Sequence, residues 1–518
     1  MSGCLRPGLF SLTGALLACT LLACETEVTR VPGTECLLNL RIHTPPYQDA
    51  FDGVSSLRLV LENAGGVVEE SVDGSASEFV IDASPAEDVV LTLEGLDIDG
   101  QVLSRGTSAV FDLHPEKAAD VDLLFARTGE FALLMGGLGY ARFGHTATAL
   151  PDGRVLVFGG ASAGDVDDPD GLAPPEIYDP KTQISCVEAG TDCPHFLGAD
   201  LRFGHTAVGT DGGKVIVIGG EDDAGLLVDV ILALDDDGLR KVEGYDPESV
   251  PPRAYHAVAR FYRNEAQQWH ETILIAGGQV ADGAGGQISD GAVLMDARSE
   301  TFIQTGLRMV RARAAHSATV FGPDRDRVLI AGGKGPGGLL APVEIFDGQQ
   351  FSVVEPQGSG ALAALSTPRL HHAACEFGGG VILIGGDDGL LTVDAPEIFF
   401  MEAALGTGVF ALDIRASHAE HCTRRGAAVI VLPSGGLMLA GGEYMDGFDR
   451  RLLSSAEIMQ RETGSLDVAF FGIAPLGTEL AHPTVAVLPG GGVLMTGGLE
   501  HGPSGLVASD DVWYYNPR

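Results

Sequence analysis

Arg142-Phe143-Gly144-His145-Thr146-Ala147 opens the stretch that decides the fold of this 518-residue chain. The stretch continues through Val155-Leu156-Val157-Phe158-Gly159-Gly160 and ends, after a loop, with Glu176-Ile177-Tyr178-Asp179. These apolar runs are too short for helices and are typical of buried strands. Pro151-Asp152-Gly153 supplies the turn between the first two runs. The stretch therefore predicts a β-hairpin followed by a third strand.

The same pattern recurs seven times between Ala132 and Arg518. Its first part, an Arg-x-x-His motif, keeps the frame but loses one or both residues in the last two copies. The motif residues are Arg142/His145, Arg202/His205, Arg253/His256, Arg313/His316, Arg369/His372, Arg424/Ala427 and Leu480/Pro483. The double glycines are Gly159-Gly160, Gly219-Gly220, Gly277-Gly278, Gly332-Gly333, Gly385-Gly386, Gly441-Gly442 and Gly497-Gly498. A regular repeat of this length predicts a propeller or a solenoid.

The Arg-x-x-His motif and the double glycine resemble the kelch family, and more closely its bacterial, galactose-oxidase-like branch. In that family each repeat forms one four-stranded blade of a β-propeller. The resemblance implies an all-β fold, with a seven-bladed kelch-type propeller over residues 128–518. It implies little about chemistry, because a fold does not determine a function.

The two ends of the repeat region complement each other. Val512-Trp513-Tyr514-Tyr515 matches a third strand, and no fourth strand follows it. We expect residues near Glu130 to Leu134 to supply that outer strand. This pairing would close the propeller and protect its sheet edges.

The first 23 residues have the pattern of a signal peptide of the lipoprotein type. Leu21-Leu22-Ala23-Cys24 resembles the bacterial lipobox, in which the cysteine becomes acylated, and Cys19 is a second candidate. An ordinary cleaved signal without a lipid is the alternative. In the preferred interpretation, residues 24–30 form a tether. The protein is then located in the cell envelope and is anchored by lipid to the outer membrane or cell surface.

Residues 31–127 contain about seven short strand candidates, such as 38–42, 57–61, 89–93 and 121–125. This number in a segment of that length suggests a small immunoglobulin-like β-sandwich. No catalytic constellation is visible in it. A spacer or accessory binding domain is the interpretation we adopt.

Five cysteines remain besides Cys24 and those of the signal segment. In an oxidising envelope disulfides are expected. Cys186 and Cys193 bracket a polar loop and are expected to pair; Cys375 and Cys422 could also meet, and Cys36 is left over. None of the spacings indicates a zinc site.

The chain carries a formal charge of -39, with 45% hydrophobic and 20% charged residues. Such acidity opposes binding to nucleic acids and anionic membranes, because both are polyanions. The composition fits a monomeric globular protein held to a membrane only by its anchor.

The repeated histidines predict a structural polar contact in each blade rather than a shared metal site. The enzymatic alternative is a copper-radical oxidase, because Tyr255-His256 looks like the copper-ligating pair of galactose-oxidase-like enzymes. Those enzymes take another histidine from a domain after the propeller and cross-link a cysteine to a tyrosine. The chain ends at Arg518 with the last repeat, so we expect neither feature and predict no cofactor.

The loops that follow the double glycines should cluster on one face and carry recognition. They span residues 161–175, 221–227, 279–291, 334–341, 387–394, 443–454 and 499–508. Several are acidic, with Asp165, Asp167, Asp168, Asp170, Glu221, Asp222, Asp223, Asp387, Asp388, Glu443 and Asp446. A Ca²⁺ site there is an open alternative, although residues 165–171 fail the EF-hand pattern. The sequence therefore predicts a non-catalytic platform that binds a protein or a glycan.

Overall fold

The structure is a computed structural model, and every regular element in it is a β-strand. It describes residues 8–10, 19–21, 36, 38–74, 85–115, 117–165, 168–186, 201–235, 238–265, 267–281, 286–354, 363–393, 396–402, 407–411, 423–446, 449–461, 468–503 and 505–518. The expectation of an all-β fold is confirmed. Within these ranges no helix has the length and apolarity needed to cross a membrane. Cys24, the 24–30 tether, Asp167, Cys193 and Cys422 lie outside the described residues.

The described residues before 128 form ten strands. A short antiparallel pair comes first, formed by β1 (Gly8–Phe10) and β2 (Cys19–Leu21). The others are β3 (Leu38–His43), β4 (Ser56–Asn63), β5 (Gly66–Asp73), β6 (Ala86–Leu96), β7 (Val102–Thr107), β8 (Phe111–Leu113), β9 (Ala119–Leu124) and β10 (Ala126–Arg127). All four strand candidates quoted from the sequence are therefore present.

Strands β3 to β10 form two sheets around one core. The larger sheet has the order β10-β7-β6-β4-β5, with β8 paired to β6, while β3 and β9 run parallel to each other. Alternate residues of β4 face inward, so Leu57, Leu59 and Leu61 are buried together with Leu38 and Phe125. This alternation is the period-two pattern that a half-buried strand requires.

Seven four-stranded antiparallel sheets follow, numbered here I to VII by the order of their first strands. Sheet I contains β12 (Thr146–Ala149), β13 (Val155–Phe158), β16 (Glu176–Asp179) and β17 (Ile184–Cys186). Sheet II contains β18 (Thr206–Gly209), β19 (Val215–Ile218), β20 (Leu232–Asp235) and β21 (Gly238–Lys241). Sheet III contains β23 (Ala257–Glu265), β24 (Gln268–Ala276), β27 (Gly291–Asp296) and β28 (Phe302–Arg308).

Sheets IV to VII repeat this order. Sheet IV contains β29 (Ser317–Phe321), β30 (Arg327–Ala331), β33 (Glu344–Phe346) and β34 (Phe351–Val353). Sheet V contains β35 (Ala373–Phe377), β36 (Gly380–Ile384), β37 (Glu397–Glu402) and β38 (Thr407–Ala411). Sheet VI contains β39 (Ala428–Val431), β40 (Leu437–Ala440), β43 (Ala456–Arg461) and β44 (Val468–Gly472). Sheet VII contains β45 (Thr484–Val487), β46 (Val493–Thr496), β49 (Val512–Tyr515) and β11 (Phe131–Leu133).

Most loops after the double glycines fold into small hairpins. They are β14–β15 (Ala161–Asp165, Asp168–Leu172), β25–β26 (Gln279–Ala281, Gly286–Ile288), β31–β32 (Lys334–Gly335, Gly338–Leu339), β41–β42 (Glu443–Asp446, Asp449–Leu452) and β47–β48 (Leu499–Gly502, Gly505–Ala508). The two-residue strand β22 (Arg253–Ala254) adds to β25.

Neighbouring sheets are joined through their first strands and double glycines. Each first strand packs against the first strand of the next sheet, and β45 packs against β12. The second glycine of each pair donates its N–H to the first motif residue of the next sheet. These bonds are Gly160→Arg202, Gly220→Arg253, Gly278→Arg313, Gly333→Arg369, Gly386→Arg424, Gly442→Leu480 and Gly498→Arg142. The series thus returns from sheet VII to sheet I.

The first position of each pair requires glycine, because neighbouring sheets approach each other closely there. Gly219 has φ +61°, and a Cβ there would lie 2.0 Å from the carbonyl oxygen of Arg253. Any side chain would push the two sheets apart.

The ends of the repeat region pair as the sequence predicted. β11 lies antiparallel to β49, with Phe131 opposite Tyr515 and Leu133 opposite Trp513. Gly129 also donates its N–H to the carbonyl of Asn516 over 2.7 Å.

The cysteine expectations have mixed outcomes. Cys186 is disulfide-bonded, and its partner lies outside the described residues. Cys375 is a free thiol, so the suggested pairing with Cys422 is wrong. Cys375 instead packs against the apolar residues between sheets V and VI, where burial raises the pKa of the thiol to about 12. Cys36 is free and buried.

Candidate functional site

The motif arginines make polar contacts inside their own sheets. All six are buried, and each donates Nη1 to the carbonyl of the first glycine of its sheet. Four also pair with a glutamate at the start of the third strand. These pairs are Arg142–Glu176, Arg313–Glu344 (3.0 Å), Arg369–Glu397 (2.5 Å) and Arg424–Glu457 (2.9 Å).

The motif histidines join one sheet to the sheet before it. Four of the five rings reach a hydroxyl of the preceding sheet, which stands at the start of the first strand in three cases and at the end of the second strand, as Thr496, in the fourth. The contacts are His145–Thr496 (2.8 Å), His205–Thr146 (3.0 Å), His256–Thr206 (2.8 Å) and His372–Ser317 (3.0 Å). At the corresponding position before His316 stands Ala257, and neither ring nitrogen of His316 has a partner among the described residues.

Burial keeps these histidines neutral. Burial, together with the charge of the nearby motif arginine, lowers the pKa of His205, His316 and His372 to about 3. A neutral imidazole buried on a glycine contributes packing and one hydrogen bond. The five histidines are thus accounted for as links between sheets.

The third motif position has an unusual backbone conformation in every sheet. All seven residues there have positive φ, between 50° and 67°. They are Gly144, Gly204, Tyr255, Ala315, His371, Gly426 and His482. Glycine adopts this conformation freely, but a residue with a Cβ is strained by about 1–3 kcal/mol. Three large side chains, those of Tyr255, His371 and His482, are therefore held at positions that favour glycine.

Two of these residues belong to a charged cluster, which we define as His371, Asp387, Arg425, Glu443, Arg450 and His482. His371 Nδ1 lies 2.8 Å from Asp387 Oδ2, and Arg425 Nη1 lies 3.4 Å from the same oxygen. Arg425 Nε also donates to Glu443 Oε1, so this guanidinium bridges the two carboxylates.

Glu443 is the most connected member of the cluster. Arg450 Nε donates to Glu443 Oε2 over 2.9 Å, and His482 Nε2 lies 3.2 Å from Glu443 Oε1. The cluster joins sheets V, VI and VII at the end of the sheets where the double glycines lie. Asp387 and Glu443 are placed there because each directly follows a double glycine and bridges the second motif residue.

Burial and charge act against each other in this cluster. Asp387, Arg425 and Glu443 are at most 3% exposed. Burial alone would raise the pKa of Glu443, but the hydrogen bond from His482 and the charge of Arg425 together lower it to about 2. Burial likewise opposes ionisation of Asp387, and His371 and Arg425 hold its pKa below the usual value. Burial lowers the pKa of His482.

This arrangement suits recognition better than proton transfer. A general acid needs a pKa near the working pH, and both carboxylates are held ionised by cations. A rigid set of donors and acceptors with two histidine edges at its surface can instead orient a polar group of a partner. His371 is 29% exposed and His482 11%.

Tyr255 and His256 contact different partners. The hydroxyl of Tyr255 lies 3.4 Å from Glu221 Oε2, whereas Nε2 of His256 lies 2.8 Å from Thr206 Oγ1. The pair does not fit the copper-ligand expectation, because His256 is committed to the link between sheets. In the described parts of the chain, no three His, Cys, Asp or Glu side chains form a metal-binding group.

The acidic loop residues serve several local purposes. Asp222 Oδ1 accepts from the N–H groups of Ala224 and Leu226 within its own loop. Asp388 Oδ1 does the same for Leu390 and Leu391. These acids are used to shape the loops, while Asp387 and Glu443 belong to the charged cluster.

Exposed apolar side chains stand on the same loops. Leu226, Leu390 and Leu391 are 63%, 68% and 46% exposed, and Val507 is 38% exposed. The loop of Leu391 is tied to the β41–β42 hairpin, because Thr392 N–H donates to Met445 O over 3.2 Å. Apolar anchors therefore lie on the loop that contributes Asp387 to the charged cluster.

Four members of the cluster were not predicted from the sequence: His371, Arg425, Arg450 and His482. Asp387 and Glu443 were predicted only as acidic residues of the loops. The available signal was the third motif position, where His371 and His482 stand in place of glycine. No protein-family model matches the chain, and no curated protein matches it.

Proposed function

We propose that this chain is a cell-envelope lipoprotein whose seven-bladed kelch-type propeller is a non-catalytic platform for a protein or glycan partner. The seven four-stranded sheets and their successive contacts support the propeller. Further support comes from the glycine hydrogen bonds that return from Gly498 to Arg142. The strands of residues 38–127, packed on one core, support an immunoglobulin-like sandwich before it.

One observation carries the binding proposal. Leu390 and Leu391 project from the loop that also supplies Asp387 to the charged cluster. Interfaces commonly combine exposed apolar anchors with fixed polar groups, and loops on a rigid scaffold are suited to recognition. The exposed leucines favour a protein over a glycan as the partner.

The test compares two faces of the same protein. Full-length protein is cross-linked in envelope preparations, and captured partners are identified for wild type, Leu390→Asp/Leu391→Asp and Ile184→Asp. Ile184 is 62% exposed on the fourth strand of sheet I, so it is a matched exposed apolar control. We expect the double substitution alone to remove the partner. Equal capture by all three proteins would refute a binding site at these leucines.

The copper-oxidase alternative is tested separately. The protein is loaded with copper and screened for peroxide release from alcohols and aldehydes, in wild type and in Tyr255→Phe. We expect no turnover. Stoichiometric copper with turnover that Tyr255→Phe abolishes would replace the platform proposal.

The lipid anchor is tested through Cys24. We expect Cys24→Ala to prevent acylation and to move the protein from the membrane fraction to the soluble fraction, with Cys19→Ala as the control. Loss of anchoring in Cys19→Ala instead would assign the second lipobox candidate.

A further inference from the structure

The motif arginine of sheet III lacks the carboxylate partner that stands in four other sheets. In sheet IV, Ile330 lies opposite Glu344, and Glu344 pairs with Arg313. The matching position in sheet III is Val293, opposite Ile275. Arg253 is consequently a buried guanidinium, 3% exposed, with no ion pair among the described residues.

The hydrogen bonds of Arg253 leave one nitrogen unused. Nη1 donates to the carbonyls of Gly277 and Gly291, both at 3.1 Å, and Nε to that of Pro251 at 3.3 Å. Within the described residues, no acceptor lies in hydrogen-bonding range of Nη2. Burial lowers the pKa of Arg253 to about 10, so the group still carries its charge at neutral pH.

A cavity adjoins this arginine. Its volume is about 430 Å³, and it is lined by Arg253, Val293, Glu248, Ser289, Asp290 and Arg308, among others. Volumes of this order are typical of small-molecule sites. The cavity is lined by the segment 248–253, by the β25–β26 hairpin and by the third and fourth strands of sheet III.

We propose that this cavity binds a free amino acid, whose carboxylate takes the place of the missing glutamate on Arg253. A guanidinium presents paired donors that match a carboxylate, and such a charged hydrogen bond is stronger where water is excluded. The Nη2 group without a hydrogen bond and the absence of an internal carboxylate both point to an anionic group from outside the chain.

The other charges of the cavity favour a zwitterion over a simple anion. Arg308 Nη1 donates to Asp290 Oδ1 over 2.5 Å, so this pair is internally neutral. Glu248 then remains to attract the ammonium group, as Arg253 attracts the carboxylate. A dianion would gain the favourable contact with Arg253 but would be repelled by the net negative charge of the chain.

The experiment uses calorimetry on the full-length protein. The probes are L-alanine and L-phenylalanine, with acetate, L-alaninamide and inorganic phosphate as comparisons at constant ionic strength. We expect the amino acids to bind, acetate to bind more weakly, and alaninamide and phosphate to show no heat. Absence of amino-acid binding, or equal affinity for alaninamide, would overturn the proposal.

Substitution at Val293 provides the decisive control. Val293→Glu restores the glutamate found opposite Ile330 and should occupy Arg253 from within, weakening amino-acid binding about tenfold or more. Val293→Ile should keep the affinity within about threefold, because it adds no charge. Unchanged affinity in a folded Val293→Glu protein would overturn the assignment. This outcome is independent of the leucine platform, which lies on other loops.

Discussion

Sheets III and IV have the same arrangement of strands but differ in the partner of their buried motif arginine. Both place a motif arginine under the carbonyl of their first glycine and a motif histidine against the preceding sheet. In sheet IV the arginine is neutralised by Glu344, whereas in sheet III Val293 leaves Arg253 beside a cavity. The same scaffold position therefore becomes a structural ion pair or an open cationic site through one third-strand residue.

The largest loss of stability should come from a substitution that makes sheet IV like sheet III. Glu344→Val leaves Arg313 buried without its carboxylate, and removing one partner of a buried pair costs about 3–5 kcal/mol. The midpoint of urea unfolding should fall accordingly. Glu265→Val removes an exposed partner of Arg263 and should cost less than about 1 kcal/mol. Equal losses would show that the buried pair has no special role.

Acid should weaken both sheets through their histidines. The folded-state pKa of His316 is about 3, below its ordinary value of 6.5. Below pH 6.5 the unfolded chain takes up protons that the folded protein does not. Stability should therefore be complete above pH 6.5 and decline as the pH falls toward 3.

Unfolding midpoints between pH 7 and pH 4 test this expectation. His316→Gln should make the decline shallower, because one group that titrates only in the unfolded state is lost. Glu443 affects stability at lower pH than the histidines do, because its folded-state pKa is about 2. Its contribution to the free energy of unfolding is lost as the pH falls from 4.5 to 2. A midpoint that does not change between pH 6.5 and 4.5 would contradict the assignment of neutral, buried histidines.

The smallest effect should come from repairing the link between sheets III and IV. Ala257 occupies the position at which Thr146, Thr206 and Ser317 form a hydrogen bond with a histidine. Ala257→Thr should give His316 a hydroxyl partner and raise the free energy of unfolding by about 1 kcal/mol. Ala257→Val adds similar volume without the hydroxyl and is the control. Equal effects of the two substitutions would assign the gain to packing alone.

Much of the fold was predictable because strand patterns are local. The run at 155–158 was expected to be a buried strand and is buried in β13, as the corresponding runs at 215–218, 328–331 and 381–384 are in β19, β30 and β36. The pairing of Phe131 with Tyr515 was also predictable, because the last repeat lacked an outer strand. The suggested Cys375–Cys422 bridge failed, since sequence spacing does not reveal that the Cys375 thiol packs into an apolar layer.

The candidate sites were less accessible to prediction. Asp387, Arg425 and His482 come from three sheets, so no spacing along the chain marks them as neighbours. The cavity beside Arg253 depends on an absence, namely a valine where other sheets carry glutamate. That absence becomes meaningful only when the strand register places Val293 opposite Ile275.

The sequence by itself determined the β-strands, their repetition and the recurring positions of the arginine, histidine and glycine residues. These features follow from residue periodicity and from conformations that glycine permits. Tertiary structure decided which buried charges meet a partner and which face a cavity. The reason is that charge pairing depends on distances across strands and between sheets, and those distances are set only when the sheets have packed.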